Sequence, residues 1–217
     1  MSRRLSKHVA LSLLALLAAA CNRTPVPGLA RGEALFGTCA KCHGDTGAGN
    51  QALGAPAIGG LPAWYVQAQL EGFQAGHRGY DPFDTTGIRM KSVSWVLDRI
   101  GDDSSVALHI ATLNPGPATP VLHGNAAAGA ATFTAVCTMC HGPAAAGNPA
   151  VHAPPLAGRS DWYLAAQLRK FRAGARGANA TDMWGATMRA QAMMLDDSTM
   201  NNVVAYIQTL RGNGTAP

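Results

Sequence analysis

The sequence predicts an all-α protein of two tandem domains joined by a short Pro-rich linker. Three observations support this fold class. The two halves share residues at a constant separation of 98 positions, as Trp64 and Trp162 illustrate. Apolar residues recur at i, i+3 and i+4 in both halves, and no segment has the alternation of a half-buried strand. The segment between the halves, 114–120, has proline at three of its seven positions.

Residues 1–20 have the pattern of a secretory signal peptide. Three basic residues within the first seven precede an apolar run over 9–17, and three alanines follow it. This order of basic, apolar and small residues is typical of a cleaved export signal, and the apolar run is too short to span a bilayer. We therefore predict export to the periplasm and leave this segment out of the fold.

Cys21 directly follows these alanines and resembles the acylated cysteine of a bacterial lipoprotein. Acylation would make Cys21 the mature N-terminus and would tether the protein to a membrane. Ala18 stands where a lipoprotein signal usually has leucine. We favour acylation, and cleavage nearby by an ordinary signal peptidase is the alternative.

Charge and composition exclude one class of partner. The 217-residue chain has 17 basic and 12 acidic side chains, a net charge of +5, and without the three basic residues of the signal peptide the net charge is +2. No basic tail or aromatic-interleaved basic patch is present, so we predict no nucleic-acid binding. Aromatic residues make up only 6% of the chain. Small domains with so little apolar bulk favour a core completed by a cofactor.

The repeat divides the chain into a first domain over 29–113, the linker 114–120, and a second domain over 121–212. Each domain is predicted to contain three helices, the middle one in the second domain starting with Ser160 as its N-cap. The predicted helices are 32–38, 62–73 and one from Asp102 or Asp103 to Leu113, then 129–136, 160–171 and one from Asp196 or Asp197 to Arg211.

A C-x-x-C-H motif occurs at the same point of each repeat. Two cysteines three positions apart can bind the two vinyl groups of one haem as thioethers, and the following histidine can then ligate the iron. We therefore predict two covalently bound haems c. A thioredoxin-like redox pair, a zinc site and a disulfide are the alternatives. The motif residues are Cys39, Cys42 and His43 in the first domain, and Cys137, Cys140 and His141 in the second.

Methionine is the predicted sixth iron ligand. Met90 is the single methionine between the first motif and the linker, and the 98-residue repeat selects Met188 among the five candidates of the second domain. A His/Met pair raises the reduction potential and leaves the iron no open position. The remaining histidines have no counterpart in the repeat, so we do not expect them to be axial ligands.

Other repeated residues are predicted to support the haems. Pro56 and Pro154 each follow the haem histidine by thirteen residues, and a carbonyl beside them could accept the imidazole Nδ1 hydrogen. Arg78 and Arg176 could each pair with a haem propionate, or could be solvated. Repeated Trp-Tyr pairs, at 64–65 and 162–163, are expected to pack against the haem edges.

On these motifs the sequence resembles the class I cytochromes c, and in particular the di-haem cytochrome c4 type, over residues 29–211. The resemblance implies an electron carrier, not an enzyme. It would pass single electrons in the periplasm from a quinol-oxidising complex or a dehydrogenase to a terminal oxidase or reductase, with these redox proteins as its partners. The stretch from Met90 to Asp102 is four residues longer than that from Met188 to Asp196, which predicts a rebuilt loop.

Two other functions are considered. The first is an electron-transfer subunit of a larger membrane-bound oxidoreductase complex. A basic cluster would dock an acidic partner in that case, unless it is simply a solvated helix face. The second is a di-haem peroxidase, which the equal spacing of 47 residues from each haem histidine to its methionine argues against. The residues of the basic cluster are Arg169, Lys170, Arg172 and Arg176.

Overall fold

The computed structural model describes residues 28–210. The predicted signal peptide, Cys21 and the end of the last predicted helix at Arg211 lie outside the described residues. Within them the regular structure is helical, apart from two isolated bridges that join Asn50 to Ala55 and Asn148 to Ala153. The all-α prediction is therefore confirmed. None of the described helices is long and apolar enough to cross a membrane.

Each domain is a small bundle of helices in the same order. In the first domain the helices are α1 Leu29–His43, α2 Ala63–Gln74, α3 Thr85–Ser94 and α4 Asp102–Thr112, with a 3-10 turn at Gln51–Leu53. In the second they are α5 Ala126–Thr132, a π-helical turn Phe133–Cys137, α6 Thr138–His141, a 3-10 turn Pro149–Val151, α7 Asp161–Ala173, α8 Met183–Ala192 and α9 Asp197–Thr209. The methionine-bearing helices α3 and α8 were not predicted from the sequence.

Glycine permits the central helix crossing in each domain. A Cβ atom added to Gly32 of α1 would lie 2.0 Å from the Ser105 carbonyl oxygen of α4. At the equivalent crossing, a Cβ on Gly129 of α5 would lie 1.9 Å from the Asn202 oxygen of α9. The backbones of these helices therefore touch, and no larger residue fits at either glycine without moving a helix.

A one-residue insertion explains the π-helical turn. The ring of Phe36 packs on His109 at a centroid distance of 5.1 Å, and that of Phe133 packs on Tyr206 at 5.4 Å. These equivalent pairs are offset by 97 residues, whereas the cysteines are offset by 98. The additional residue lies between Phe133 and Cys137, and the backbone N–H of Thr138 donates to the Phe133 carbonyl five positions back. A π-turn absorbs an extra residue within a helix in this way.

The loop after Met90 is rebuilt less than predicted. Leu97 and Leu195 are buried at equivalent points of the two domains. The next equivalent residues are Ser105 and Asn202, whose carbonyl oxygens face Gly32 and Gly129. Ser105 follows Leu97 by eight positions, whereas Asn202 follows Leu195 by seven. Only one residue is therefore inserted. The remaining difference arises because α9 begins earlier than α4, since the Asp196 side chain accepts from the Thr199 N–H at 2.7 Å and caps it.

Asp161 has a larger role than the sequence indicated. Ser160 makes no side-chain capping bond to α7. Instead Oδ2 of the buried Asp161 accepts from the N–H groups of Val121 and Leu122, each at 2.6 Å. The first two residues after the predicted linker are thus attached to the start of α7. The limits of the two domains stay a prediction.

Candidate functional site

The first C-x-x-C-H motif occupies the last turn of α1. Cys39 and Cys42 are partly buried, and His43 is buried with 7% of its surface exposed. The helix ends at once because Gly44 has φ +76°, which favours glycine. The second motif has the same arrangement, with His141 also 7% exposed and Gly142 at φ +76°.

A backbone carbonyl holds each motif histidine by the same atom. His43 Nδ1 lies 2.7 Å from the Pro56 carbonyl oxygen, and His141 Nδ1 lies 2.9 Å from that of Pro154. In this geometry Nδ1 donates its hydrogen and Nε2 keeps a free lone pair for a metal. Burial lowers the pKa of His43 and of His141, although these carbonyls partly oppose the effect. Both rings are therefore held in the neutral form that ligates metals.

A tight turn brings each proline carbonyl back to the histidine. In the first domain Gly47 and Gly49 have φ of +69° and +84°, and the Gly49 N–H donates to the His43 carbonyl at 2.7 Å. In the second domain the position of Gly47 is taken by Ala145, at φ +53°. Sequence reasoning missed this strained alanine, whose only signal is its alignment with a glycine in the repeat.

The cysteines lack the features of redox or zinc sites. All four described cysteines are free, so neither pair forms a disulfide. Burial raises the pKa of Cys39, and raises that of Cys137 to about 11. Reactive cysteines have lowered pKa values instead, because the thiolate is the active form. Over residues 28–210 there is also no group of three His, Cys, Asp or Glu side chains suited to a metal ion.

Met90 and Met188 occupy the same position, the sixth residue, of α3 and α8. Both side chains are partly buried, and Met90 packs against the core of the first domain. The two helices begin alike, because Asp84 accepts from the Gly87 N–H and Asp182 from the Gly185 N–H, each at 2.8 Å. The axial role of both methionines stays a prediction.

The repeated arginines meet in a cluster between the domains. Arg78 donates to Oε1 of Gln69 at 2.7 Å and to Oε1 of Gln167 at 3.3 Å. Arg176 donates to Oε1 of Gln167 at 2.8 Å and to Oε1 of Gln69 at 3.1 Å. The Tyr163 hydroxyl also accepts from Arg78, at 3.3 Å. Each arginine thus binds the glutamine of its own domain and that of the other.

This cluster, which we call the arginine cluster, has features of an anion site. Both arginines are more than nine-tenths buried, and Nε of each has no hydrogen-bond partner within residues 28–210. No carboxylate in the described part of the chain forms an ion pair with either guanidinium. Burial, and then the charge of Arg78, lower the pKa of Arg176 to about 10. Carboxylates of a bound group would relieve this unbalanced charge, so the chain fits a haem with its propionates.

The four residues of the basic cluster do not form one patch of unpaired charges. Arg169 and Arg172 both bind Asp197, at 2.8 and 3.1 Å. Lys170 instead crosses the domain boundary to Asp84, at 2.6 Å, and Arg176 belongs to the arginine cluster. These charges are used within the molecule because α7 faces both α9 and the first domain, a contact that the helix sequence alone does not reveal.

Comparison with known proteins identifies the family. The family model described as cytochrome c matches residues 29–102 and 126–211. The chain belongs to the cytochrome c family. As a cytochrome c with two matched regions and two Cys-x-x-Cys-His motifs, it contains two covalently bound haems c, attached through Cys39 and Cys42 and through Cys137 and Cys140.

Relatives narrow the type of this cytochrome. It is 33% identical to the thiosulfate dehydrogenase electron acceptor of Stutzerimonas stutzeri, over 77% of this chain and 76% of that protein. It is 28% identical to cytochrome c4 of Azotobacter vinelandii, over 83% of this chain and 88% of that protein. It is therefore a di-haem electron carrier of the cytochrome c4 type.

Solved structures agree with this assignment. Reduced cytochrome c4 from Pseudomonas stutzeri matches with a TM-score of 0.65 and 26% identity, over 84% of this chain and 98% of that one. Thiosulfate dehydrogenase TsdBA from Marichromatium purpuratum matches with a TM-score of 0.67 and 32% identity. That match covers 83% of this cytochrome but only 40% of the TsdBA chain.

Proposed function

We propose that this cytochrome carries single electrons in the periplasm, from a quinol-oxidising complex or a dehydrogenase to a terminal oxidase or reductase. The proposed axial ligands are His43 and Met90 in the first domain and His141 and Met188 in the second. One observation carries the proposal: the histidine-to-carbonyl contact occurs twice, at 2.7 and 2.9 Å, in domains that place a methionine at the same point of a helix.

The chain's own residues would orient each haem and restrict what can bind to it. A haem supplies a reversible one-electron iron couple. The two cysteines fix its position, and the carbonyls of Pro56 and Pro154 fix the orientation of the histidine rings and raise their basicity. If a histidine and a methionine both ligated the iron, no position would be left for a substrate. This favours a carrier over an enzyme, and in particular over a peroxidase.

The relatives support a dehydrogenase as the electron donor. Two of them, from Stutzerimonas stutzeri and from Thiomonas intermedia, are electron acceptors of thiosulfate dehydrogenase, at 33% and 28% identity. We therefore propose that the donor of this cytochrome is a dehydrogenase of the same chemical class, one that oxidises an inorganic sulfur compound.

A subunit of a membrane-bound complex is the second candidate function. The FixP subunit of a cbb3-type cytochrome c oxidase from Bradyrhizobium is 30% identical over 84% of this chain and 61% of that protein. An acylated Cys21 would supply the membrane tether. Replacing Cys21 with serine should then release the protein from the membrane fraction, whereas a soluble unsubstituted protein would contradict the tether.

Replacement of each methionine tests the ligand assignment. The oxidised protein should show the methionine-to-iron charge-transfer band for both haems, and two one-electron steps in a redox titration. Met90→Ala and Met188→Ala should each remove about half of that band, because each abolishes one ligand. Met183→Ala is the matched control, since Met183 lies on the same helix as Met188 and is exposed. An unchanged band in Met90→Ala would overturn the assignment.

A further inference from the structure

The arginine cluster is shared between the domains in a way that the separate repeats do not require. The oxygen Oε1 of Gln69 accepts from Arg78 at 2.7 Å and from Arg176 at 3.1 Å. The same atom of Gln167 accepts from Arg176 at 2.8 Å and from Arg78 at 3.3 Å. Two carbonyl oxygens and two guanidinium groups therefore form a closed ring, with each domain contributing one of each.

The cluster has the charge and rigidity of an electrostatic centre. Each guanidinium also lies over an aromatic ring of its own domain, Arg78 over Phe73 at 4.2 Å and Arg176 over Phe171 at 4.3 Å. These planar contacts and the shared oxygens leave each guanidinium little freedom. Two buried positive charges are thus fixed at the domain boundary by two neutral amide oxygens, the Tyr163 hydroxyl and two aromatic rings, without a carboxylate from the described residues.

The cluster is related in the same way to both domains. Arg78 and Arg176, and likewise Gln69 and Gln167, are related by the 98-residue repeat. Because equivalent residues lie at equivalent places relative to their own haem motif, the cluster bears the same relation to each domain. In a buried site of low effective dielectric, its charge acts over longer distances than it would in water.

We propose that Gln69 and Gln167 are positioning residues that couple the two haems, because each glutamine holds the guanidinium groups of both domains. A change of charge at either glutamine then changes the reduction potential of the haem in the other domain as well as its own. The inference rests on the proposed function, since it requires that both sites contain a haem that cycles between two oxidation states.

The test is to place a negative charge at the shared oxygen. Gln69→Glu and Gln167→Glu keep the side-chain length and give the two guanidinium groups a carboxylate, so both variants should fold. Because negative charge stabilises the oxidised iron, both midpoint potentials should fall in each variant. The potentials are measured separately by following the paramagnetically shifted haem methyl resonances of the full-length holoprotein during a redox titration.

Gln67→Glu provides the matched control. Gln67 lies on the same helix as Gln69, but its side chain bonds only to the exposed Glu71 among the described residues, at 2.8 Å. The Gln67→Glu substitution adds the same charge as Gln69→Glu to the same domain, but outside the arginine cluster. Both midpoint potentials should therefore stay close to those of the unsubstituted protein.

The outcomes separate this inference from the proposed function. A fall confined to the haem of the substituted domain in both variants would overturn the coupling. An equal fall of both potentials in the Gln67→Glu control would do so too, because the effect would then reflect overall charge. If the unsubstituted protein lacked two redox-active haems, the proposed function itself would fail, and that result is visible before any variant is made.

Discussion

Individual residues decide how closely the helices of this cytochrome pack. Gly32 of α1 and Gly129 of α5 are the points at which each first helix touches the last helix of its domain. Other local contacts act at the same scale: Ala145 adopts a strained turn, and the carboxylates of Asp84 and Asp182 cap their helices. At this scale a single methyl group is enough to change stability.

Two glycines of α1 should respond oppositely to alanine. Gly32→Ala places a methyl group 2.0 Å from a backbone oxygen, and overpacking of this kind typically costs about 1–3 kcal/mol. Gly37→Ala meets no atom of the described residues within 4 Å, so it should raise the free energy of unfolding by about 0.5–1 kcal/mol through helix propensity. Chemical denaturation of the two variants measures both effects. A Gly32→Ala variant as stable as the unsubstituted protein would contradict the close helix crossing.

Among the elements, the helices that bear the haem motifs differ most between the domains. In the first domain α1 runs without interruption from Phe36 to Cys39. In the second domain, the π-turn Phe133–Cys137 accommodates one additional residue, so that the haem motif still follows in its helical position. The motif itself is unchanged, so the insertion affects only how the helix reaches it.

Deletion of the additional residue should therefore be tolerated. Removing the exposed Ala135 gives Phe133 and Cys137 the separation that Phe36 and Cys39 already have, so the π-turn should become an ordinary α-helix. We expect two attached haems, measured by intact mass, and little change in the melting temperature. Deleting Gly37 from α1, which has no π-turn to lose, should instead impair haem attachment in the first domain. Two haems in both deletion variants would contradict this account.

At the scale of the whole molecule, the two domains are joined by contacts that the repeat does not duplicate. Lys170 pairs with Asp84 across the boundary at 2.6 Å and donates to Thr86 at 2.7 Å. The residue equivalent to Lys170 in the first domain is Gly72. His152, whose counterpart is Gly54, stacks on Trp184 at 4.7 Å and meets Trp64 of the first domain. These boundary contacts therefore require one first domain and one second domain, because two copies of the first domain would lack Lys170 and His152.

The Lys170–Asp84 pair should stabilise the protein in a pH-dependent way. Burial opposes ionisation of Asp84, but Lys170 and the Gly87 N–H outweigh it and lower its pKa. The pair therefore contributes fully above the usual aspartate range and is lost as the pH falls through the lowered pKa. Lys170→Met should cost about 1–3 kcal/mol at neutral pH, because the buried Asp84 carboxylate loses its cation and keeps only the Gly87 N–H and the Thr86 hydroxyl as donors.

Denaturant unfolding of this variant at pH 7 and near pH 3 measures the effect. The difference from the unsubstituted protein should shrink at the lower pH, where Asp84 begins to be protonated. Lys41→Met is the control, because Lys41 is exposed and the equivalent residue of the second domain is already Met139. A difference that is constant with pH would show that Lys170 acts only through packing.

The sequence by itself determined the two-domain all-α fold and the haem-attachment cysteines. It also predicted which proline carbonyl would accept from each haem histidine and which methionine would be the second iron ligand. It could do so because covalent attachment demands a fixed local spacing, and because a duplicated sequence provides its own alignment. Only the tertiary structure decided that Arg78 and Arg176 share Gln69 and Gln167, and that Lys170 is bound to Asp84. Those of these contacts that cross between the domains join residues 86 to 107 positions apart. They depend on how one folded surface docks on another, which no local spacing records.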